Sequence, residues 1–343
     1  MNSYKQDILN IFQEDLPWEK LSGCNILITG ATGLIGGCLV ETLMMNPKRD
    51  YQVYASGRNE ERAKARFIEF SDNDAFHFVR YDVLKPLESD AKFDYIIHAA
   101  SNGSPNFFAQ KPVEVMKSNL YGVANLMEYG LSHGMKRFLY ISSGEVYGEG
   151  DGRVFLEDYS GYVDCTNPRS CYPSSKRAAE TLCVSYVAEY GVDVVIARPC
   201  HTYGPNFTPN DNRVYAQFIR NVLQNEDIVL KSTGEQYRSW CYVVDCVAAL
   251  LFIMLKGKCG EAYNIADPTS NITIKSLAEM IADIGGSRVI LTTPTDDEKK
   301  VFNPVSRSLF NIDKIENLGW SVTGSMEIKI RSTLNHANAT MKS

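Results

Sequence analysis

The sequence predicts an α/β protein built on a doubly wound parallel sheet, with a smaller mixed α/β region towards its C-terminus. Three observations carry this. Apolar, β-branched runs alternate with helical patterns over roughly 180 residues, the rhythm of strand–helix–strand units. The runs are apolar throughout rather than at every second position, as in strands covered on both faces. A glycine-rich turn joins the first run to the first helical pattern.

The elements follow in order. Residues 4–20 have the spacing of a short amphipathic helix. "CNILITG" (24–30) is a buried strand ending in glycine, and "LIGGCLVETLMM" (34–45) has helical spacing. "YQVYASG" (51–57) is a second strand and "EERAKARFIEF" (60–70) a second helix. "AFHFVRYDV", "FDYIIHAAS", "RFLYISS" and "VDVVIARP" are further strands. The patterns "PVEVMKSNLYGVANLMEYGLSHG" and "SSKRAAETLCVSYVAEYG" between them are helical. After Pro199 the rhythm breaks into "RPCHTYGPNFTPNDN", a long polar loop rich in Pro, Gly and Asn. The reading places one domain over residues 1–198, with a returning segment near 236–265, and a second mainly over 199–343.

Composition narrows the class. The 343 residues are 44% apolar and 22% charged, ordinary for a soluble globular protein with a large core. A net charge of −6 without a basic block excludes nucleic acid as a partner. The N-terminus carries acids and lacks a long apolar core, so it does not read as a signal peptide. The longest apolar run, "CVAALLFIML", is too short to span a membrane. Nine cysteines without CxxC spacing point to a reducing cytosol and a cytoplasmic location. Five histidines form no HxxxH or HExxH pattern, so no metal is expected.

"TGATGLIGG" sits between the first strand and first helix, with Gly30, Gly33 and Gly36 three apart. Such a turn must be tight, let the backbone approach a pyrophosphate, and pack helix against strand. The free N–H groups of the helix start then face the anion. The turn, with Thr32, Leu34 and Ile35 between its glycines, is the candidate dinucleotide cradle. The second strand of such a fold usually ends in an acid for the adenosine ribose. Here it ends "ASGRNEER", and Arg58 stands near that place. Arginine complements a 2′-phosphate, so NAD or NADP stays open and Arg58 tilts the choice to NADP; the alternatives for Arg58 are stacking on adenine or facing solvent. Asp82, in "RYDV", is placed to bond the adenine amine.

"TGATGLIGG", "HAAS" (98–101), "SNLYGVANL" around Asn119, "ISSGEVYG" (141–148) and "YPSSK" (172–176) occur in this order. Together they resemble the extended short-chain dehydrogenase/reductase family, specifically its NAD-dependent nucleotide-sugar epimerases and dehydratases, over nearly the whole chain from about Cys24 to Trp320. The resemblance implies a Rossmann-type first domain, a C-terminal substrate domain, and Ala99 and Ala100 beside the cofactor. "NPRSCYPSSKRAAETLC", "TYGPN", "NRVYAQFI" and "YRSWCYVVD" further resemble UDP-glucuronate decarboxylases.

Tyr172 and Lys176 lie four apart, and "SSKRAAETL" lacks helix breakers, which puts the pair on one helical face. A lysine ammonium one turn away favours phenolate and lowers the tyrosine pKa. Tyr172 is then the base for a sugar hydroxyl and Lys176 its tuner and a ligand of the nicotinamide ribose, as the resemblance implies. It also gives Ser143 a hydroxyl bond to the reacting oxygen, with Ser142 close enough to stand in, and gives Asn119 the ordering of the site helix.

Glu145, in "SSGEVYG", marks dehydratases and decarboxylases of the family rather than simple 4-epimerases. A carboxylate there could remove the C5 proton that a 4-keto group acidifies. The dTDP-glucose dehydratases carry an aspartate one place earlier, where this chain has Gly144. His201, in "RPCHTYGP", stands where the family more often has asparagine facing the substrate. Arg238 and Arg307, and more weakly Arg213, fall where the family grips the nucleotide diphosphate, for which a planar, permanently charged fork is suited.

The resulting expectation is an enzyme that oxidises the sugar of a nucleotide diphosphate at C4 with bound NAD(P), then dehydrates or decarboxylates the 4-keto intermediate. The rivals are 4-epimerisation, NADPH-dependent reduction of a 4-ketosugar, and a cofactor-binding protein without turnover; the last has no physical need for Ser143, Tyr172 and Lys176 together. The resemblance implies a homodimer in which the helices after "SPNFFAQKP" and around "YPSSK" pair with their copies; Val115, Leu120, Leu182 and Val187 are expected to supply both the sheet-facing side and an outer patch.

Overall fold

The computed structural model describes residues 3–208, 211–293 and 306–342. Positions 209–210 of the polar loop and 303–305, ahead of Arg307, lie outside the described residues. Strands β1 (Asn25–Thr29), β2 (Gln52–Gly57), β3 (Phe76–Arg80), β4 (Tyr95–His98), β5 (Arg137–Ile141) and β6 (Val194–Pro199) form one parallel sheet. The next strands are β7 (His201–Tyr203), β8 (Ile228–Leu230), β9 (Tyr237–Tyr242) and β10 (Ala262–Ile265), and β10 completes the sheet in the order β3-β2-β1-β4-β5-β6-β10. The reversal between β1 and β4 is the switch point of a doubly wound sheet, and the crevice beyond the strand ends there is where such folds bind ligands.

Both faces are buried, which explains the unbroken apolar runs. On β1, Ile26 and Ile28 pack with helices α2 (Leu34–Met45) and Val243–Lys256, while Leu27 packs with the helices on the opposite face. That opposite layer is the long helix Pro112–His133 against the helix Cys171–Tyr190. The shorter strands make two small sheets. β9 pairs with β7, with β11 (Asp267–Thr273) and with β13 (Arg307–Ser308), and β8 pairs with β12 (Val289–Leu291).

The first helix departs from expectation. It is not continuous over residues 4–20; an α-helix spans Ser3–Asn10, followed by two 3₁₀ turns, Ile11–Gln13 and Trp18–Leu21. Pro17, between the turns, has no N–H to continue the ladder. Tyr4, Ile8 and Ile11 still enter the main core.

The helix Cys171–Tyr190 starts three residues before the "SSK" that predicts it, which puts Tyr172 inside its first turn. Pro173 is tolerated there, because N–H groups of a first turn have no intrahelical acceptor.

The outer surface of the two long helices is not made as expected. Val115 is buried in a cluster with Phe108, Cys171 and Tyr172, and Leu120, Leu182 and Val187 pack on the inner cluster beneath the sheet. The exposed apolar side chains are Val113, Met116, Tyr121, Val184 and Tyr190. Val115 turns inward to Phe108 and Tyr172, contacts between elements that a helical pattern on its own does not contain.

Candidate active site

The cradle forms at the end of β1. Gly30 has a φ of +66°, and a Cβ there would stand 2.7 Å from the Ala99 carbonyl oxygen and the Ala100 Cα. At Gly36 a Cβ would lie 2.4 Å from the Gly30 carbonyl oxygen. Both positions require glycine, and close packing brings Ala99 and Ala100 against the turn. Gly33 precedes α2 without capping it by a side chain, so the helix-start amides, with Leu34 and Ile35, are left to an anion. The Thr32 carbonyl accepts from Arg62 at 3.0 Å, and Arg66 donates to the Gly33 carbonyl at 2.9 Å while pairing with the buried Glu41. These arginines fix the turn from behind. The residues present therefore fit a dinucleotide.

Further along the crevice, one oxygen of Asp82 accepts from the Leu84 amide at 3.1 Å. Arg58 follows β2, largely exposed, and its guanidinium stands 3.6 Å from Glu114, which also faces Lys111 at 3.5 Å.

The reactive groups gather where β5 meets the helix Cys171–Tyr190. Tyr172 and Lys176 are both buried, one helical turn apart. Lys176 Nζ donates to the Ile141 carbonyl at 2.9 Å and lies 4.8 Å from the Tyr140 ring centre. Burial pushes Lys176 down to about 7. Tyr172 moves the other way, up to about 12, through burial and then the negative charge of Glu145, while Ser143, Arg213 and Ser101 act to lower it. Burial thus raises the tyrosine where the spacing alone predicts a lowering by Lys176, whose Nζ stands 5.8 Å from the Tyr172 ring centre. In a site this dry the lysine tends to shed its charge, and its nitrogen is directed at Ile141.

Ser143 lies two residues past β5 and caps the 3₁₀ turn Gly144–Tyr147 by accepting from the Glu145 amide at 3.2 Å. Ser143, not Ser142, bears on the Tyr172 phenol; the Ser142 hydroxyl is buried with no partner among the described residues. Asn119 accepts from Ser101 at 2.8 Å and donates to Ser175 at 2.8 Å, and Ser175 donates to the Cys171 carbonyl. One amide thus ties the loop after β4, at Ser101, to the first turns of the Tyr172 helix.

Both oxygens of Glu145 accept from Arg169, each at 3.0 Å. The Arg169 guanidinium lies 4.9 Å from the Phe108 ring centre, and Phe108 stacks on Tyr172. Arg169, Phe108 and Ser101 are site residues that motif reading missed; Arg169 and Ser101 stand inside "NPRSCY" and "HAAS", but no spacing rule marks them.

His201 on β7 pairs with Trp240 on β9, and its ring lies 5.3 Å from the indole. Burial, with Arg238 and Arg213 nearby, pushes its pKa down to about 3, and its Nδ1 is buried with no partner among the described residues. Arg238 is buried and brought down to about 10 by desolvation, against the pull of Glu145. Arg213 binds the Asp211 carboxylate at 2.9 Å and is close enough to act on Tyr172. Arg307 is exposed on β13, whose Ser308 pairs with Arg238. The structure therefore joins His201, Arg213 and Arg238 to the Tyr172 cluster and leaves Arg307 at its edge.

A glycine cradle at the switch point of a doubly wound sheet, facing a Ser–Tyr–Lys cluster, defines an NAD-dependent enzyme. The sequence profile of the NAD dependent epimerase/dehydratase family matches residues 26–266, and the chain belongs to that family. It is 33% identical to UDP-glucuronic acid decarboxylase 6 of Arabidopsis thaliana over 91% of this chain and 87% of that one. It is 30% identical to UDP-glucuronic acid decarboxylase 1 of Xenopus tropicalis over 91% and 71%. In fold it is similar to the epimerase Mth375 of Methanothermobacter thermautotrophicus, with a TM-score of 0.81, 20% identity, and 98% and 96% of the two chains covered. It is likewise similar to the dTDP-glucose 4,6-dehydratase DesIV of Streptomyces venezuelae, with a TM-score of 0.79, 21% identity and coverages of 93% and 98%. The protein is a nucleotide-sugar-modifying enzyme of this family. Among the described residues no helix is long and apolar enough to cross a membrane.

Proposed function

We propose that the enzyme oxidises C4 of a UDP-linked uronic acid and then releases the C6 carboxyl as carbon dioxide. The observation that carries this choice is the Glu145–Arg169 pair. Dehydration requires a base for the C5 proton, and Glu145 has both oxygens engaged. Decarboxylation of a β-keto acid needs no such base: the C5–C6 bond breaks and its electrons pass to the C4 carbonyl. Position 144 favours the same reading. A Cβ on Gly144 would stand 2.2 Å from the Phe310 ring, so the acid that dTDP-glucose dehydratases place there has no room. The relatives named above add weight to it.

When bound, the nicotinamide supplies the hydride acceptor. Tyr172, acting as its phenolate, takes the proton of the C4 hydroxyl, Ser143 and Ser101 orient that oxygen, and Asn119 fixes the helix that carries Tyr172. Arg213, Arg238 and Arg307 hold the diphosphate, with the neutral His201 between the first two offering a hydrogen bond to the sugar. The favoured cofactor is NAD: Glu114 already faces Arg58, and a 2′-phosphate would have to displace it. The enzyme works as a cytosolic homodimer. Val113, Met116 and Tyr121 on one helix and Val184 and Tyr190 on its neighbour form the outer apolar face a second copy would cover.

Incubation of the pure protein with NAD and UDP-glucuronate tests this. Release of carbon dioxide with a pentose product is expected. Loss of water, or an isomer of unchanged mass, would establish dehydration or epimerisation instead.

A further inference from the structure

Arg169 stands three residues before Tyr172, yet its guanidinium is turned to Glu145, 24 residues away in the chain. Its two terminal nitrogens each donate to one carboxylate oxygen at 3.0 Å, the end-on fork that Arg makes with a carboxylate. The pair is further fixed by the Phe108 face beneath the guanidinium, and Phe108 in turn lies against Tyr172. Glu145 is close enough to that tyrosine for its charge to act on the phenol. A carboxylate whose charge acts on Tyr172 is thus held in place with an Arg169 donor on each oxygen.

Each oxygen keeps a second lone pair, but a proton added there would strip the Arg169 guanidinium of its counter-charge, so the closed fork disfavours Glu145 as a base. We propose that Arg169 masks Glu145 and thereby sets the outcome of the reaction, an inference that rests on the decarboxylation reading above. Two routes lead away from a 4-keto uronic acid. In one the C5–C6 bond breaks, its electron pair passes to the C4 carbonyl, carbon dioxide leaves, and a solvent proton later adds at C5. In the other the C5–H bond breaks, its pair passes to the same carbonyl, and the proton moves to Glu145. Both proceed through an enolate and neither consumes an oxidant. The mask closes the second route. Arg169 is a positioning residue for reaction specificity, acting through Glu145.

The two routes leave different isotopic records. In D₂O, with the NAD-loaded enzyme and UDP-glucuronate, the wild type should place a single deuterium at C5 of the pentose, the one that replaces the carboxyl. Arg169→Gln unmasks Glu145, so C5–H exchanges before carbon dioxide leaves and most product carries two. Adding Glu145→Gln to that variant returns the product to one deuterium. Arg169→Lys keeps the charge but not the fork and should fall between. If Arg169→Gln does not fold, Arg169→Lys is scored alone: a second deuterium supports the mask, and none overturns it. Product from Arg169→Gln with a single deuterium overturns the inference while leaving decarboxylation intact. A wild type that releases no carbon dioxide overturns the decarboxylation reading, and the inference with it, before any variant is made.

Discussion

Phe108 lies flat on Tyr172, with ring centroids 4.5 Å apart and planes inclined by 19°. The stack holds the tyrosine ring independently of its hydroxyl. Tyr172→Phe should therefore fold and bind NAD as the wild type does, because one oxygen is lost and no packing. Turnover should fall by about two to four orders of magnitude, the usual scale for a positioned acid–base group. Steady-state kinetics with cofactor binding by fluorescence checks this; near wild-type turnover would remove Tyr172 from the mechanism.

Asn119 makes the second prediction. Its amide serves Ser101 on one side and Ser175 on the other, and Asn119 and Ser175 are fully buried. Asn119→Ala leaves both hydroxyls short of a partner at a cost of about 1–3 kcal/mol each. Melting temperature should drop, and kcat should fall more than KM rises, because the Tyr172 helix is displaced while the diphosphate contacts stay. A variant with lowered Tm and unchanged kcat would make Asn119 a structural residue alone.

Two buried histidines give the acid limb of stability a definite sign. His98 is pushed down to about 3 by burial, with Lys176 adding to it. His336 is pushed down to about 4 by burial, with Lys5 and Arg66 adding to it, and it is bonded to Asn206 at 3.1 Å. The unfolded values lie near 6.5, so the unfolded chain binds more protons as pH falls from about 6.5 to 4. Stability contributed by these groups is therefore full above 6.5 and lost on acidification, by up to about 1.4 kcal/mol per pH unit for each. Asp245, pushed up to about 6 by burial, works in the opposite direction over the lower part of that range. Comparison isolates the histidine term: between pH 7 and 5 the wild type should lose more Tm than His336→Gln. Equal losses would show that His336 titrates normally in the folded protein.

The same residues mark what a sequence can and cannot reveal. Gly30 and Gly36 are legible because a tight turn leaves no space for a Cβ, and only glycine meets that need. Tyr172 and Lys176 are legible because helix periodicity is local. Arg169 is not: its partners Glu145 and Phe108 come from distant turns, and no periodicity links them. Lys176 shows a different limit, since the spacing is right but the depth of burial that lowers its own pKa and raises that of Tyr172 is a property of the whole fold. Strands as short as β7 and β13 exist only through pairing with β9. Pro17, by contrast, was a visible break in the first helix.

The last prediction concerns Glu145→Gln. The charge of Glu145 raises the Tyr172 pKa, second only to burial. Glutamine keeps the size of the side chain and one acceptor for Arg169 but removes that charge. The Tyr172 phenol should then ionise at lower pH, and the ascending, acid-side limb of the kcat/KM profile should shift to lower pH. Carbon dioxide should still be released, because cleavage of C5–C6 takes no proton from C5. This differs from what a C5 base would give: hydride transfer retained, the next step blocked, and reduced nicotinamide accumulating beside a trapped 4-ketosugar. Near-ultraviolet absorbance in a single turnover separates the two. Accumulation of reduced cofactor in Glu145→Gln without carbon dioxide would make Glu145 the base and overturn its assignment as a masked carboxylate.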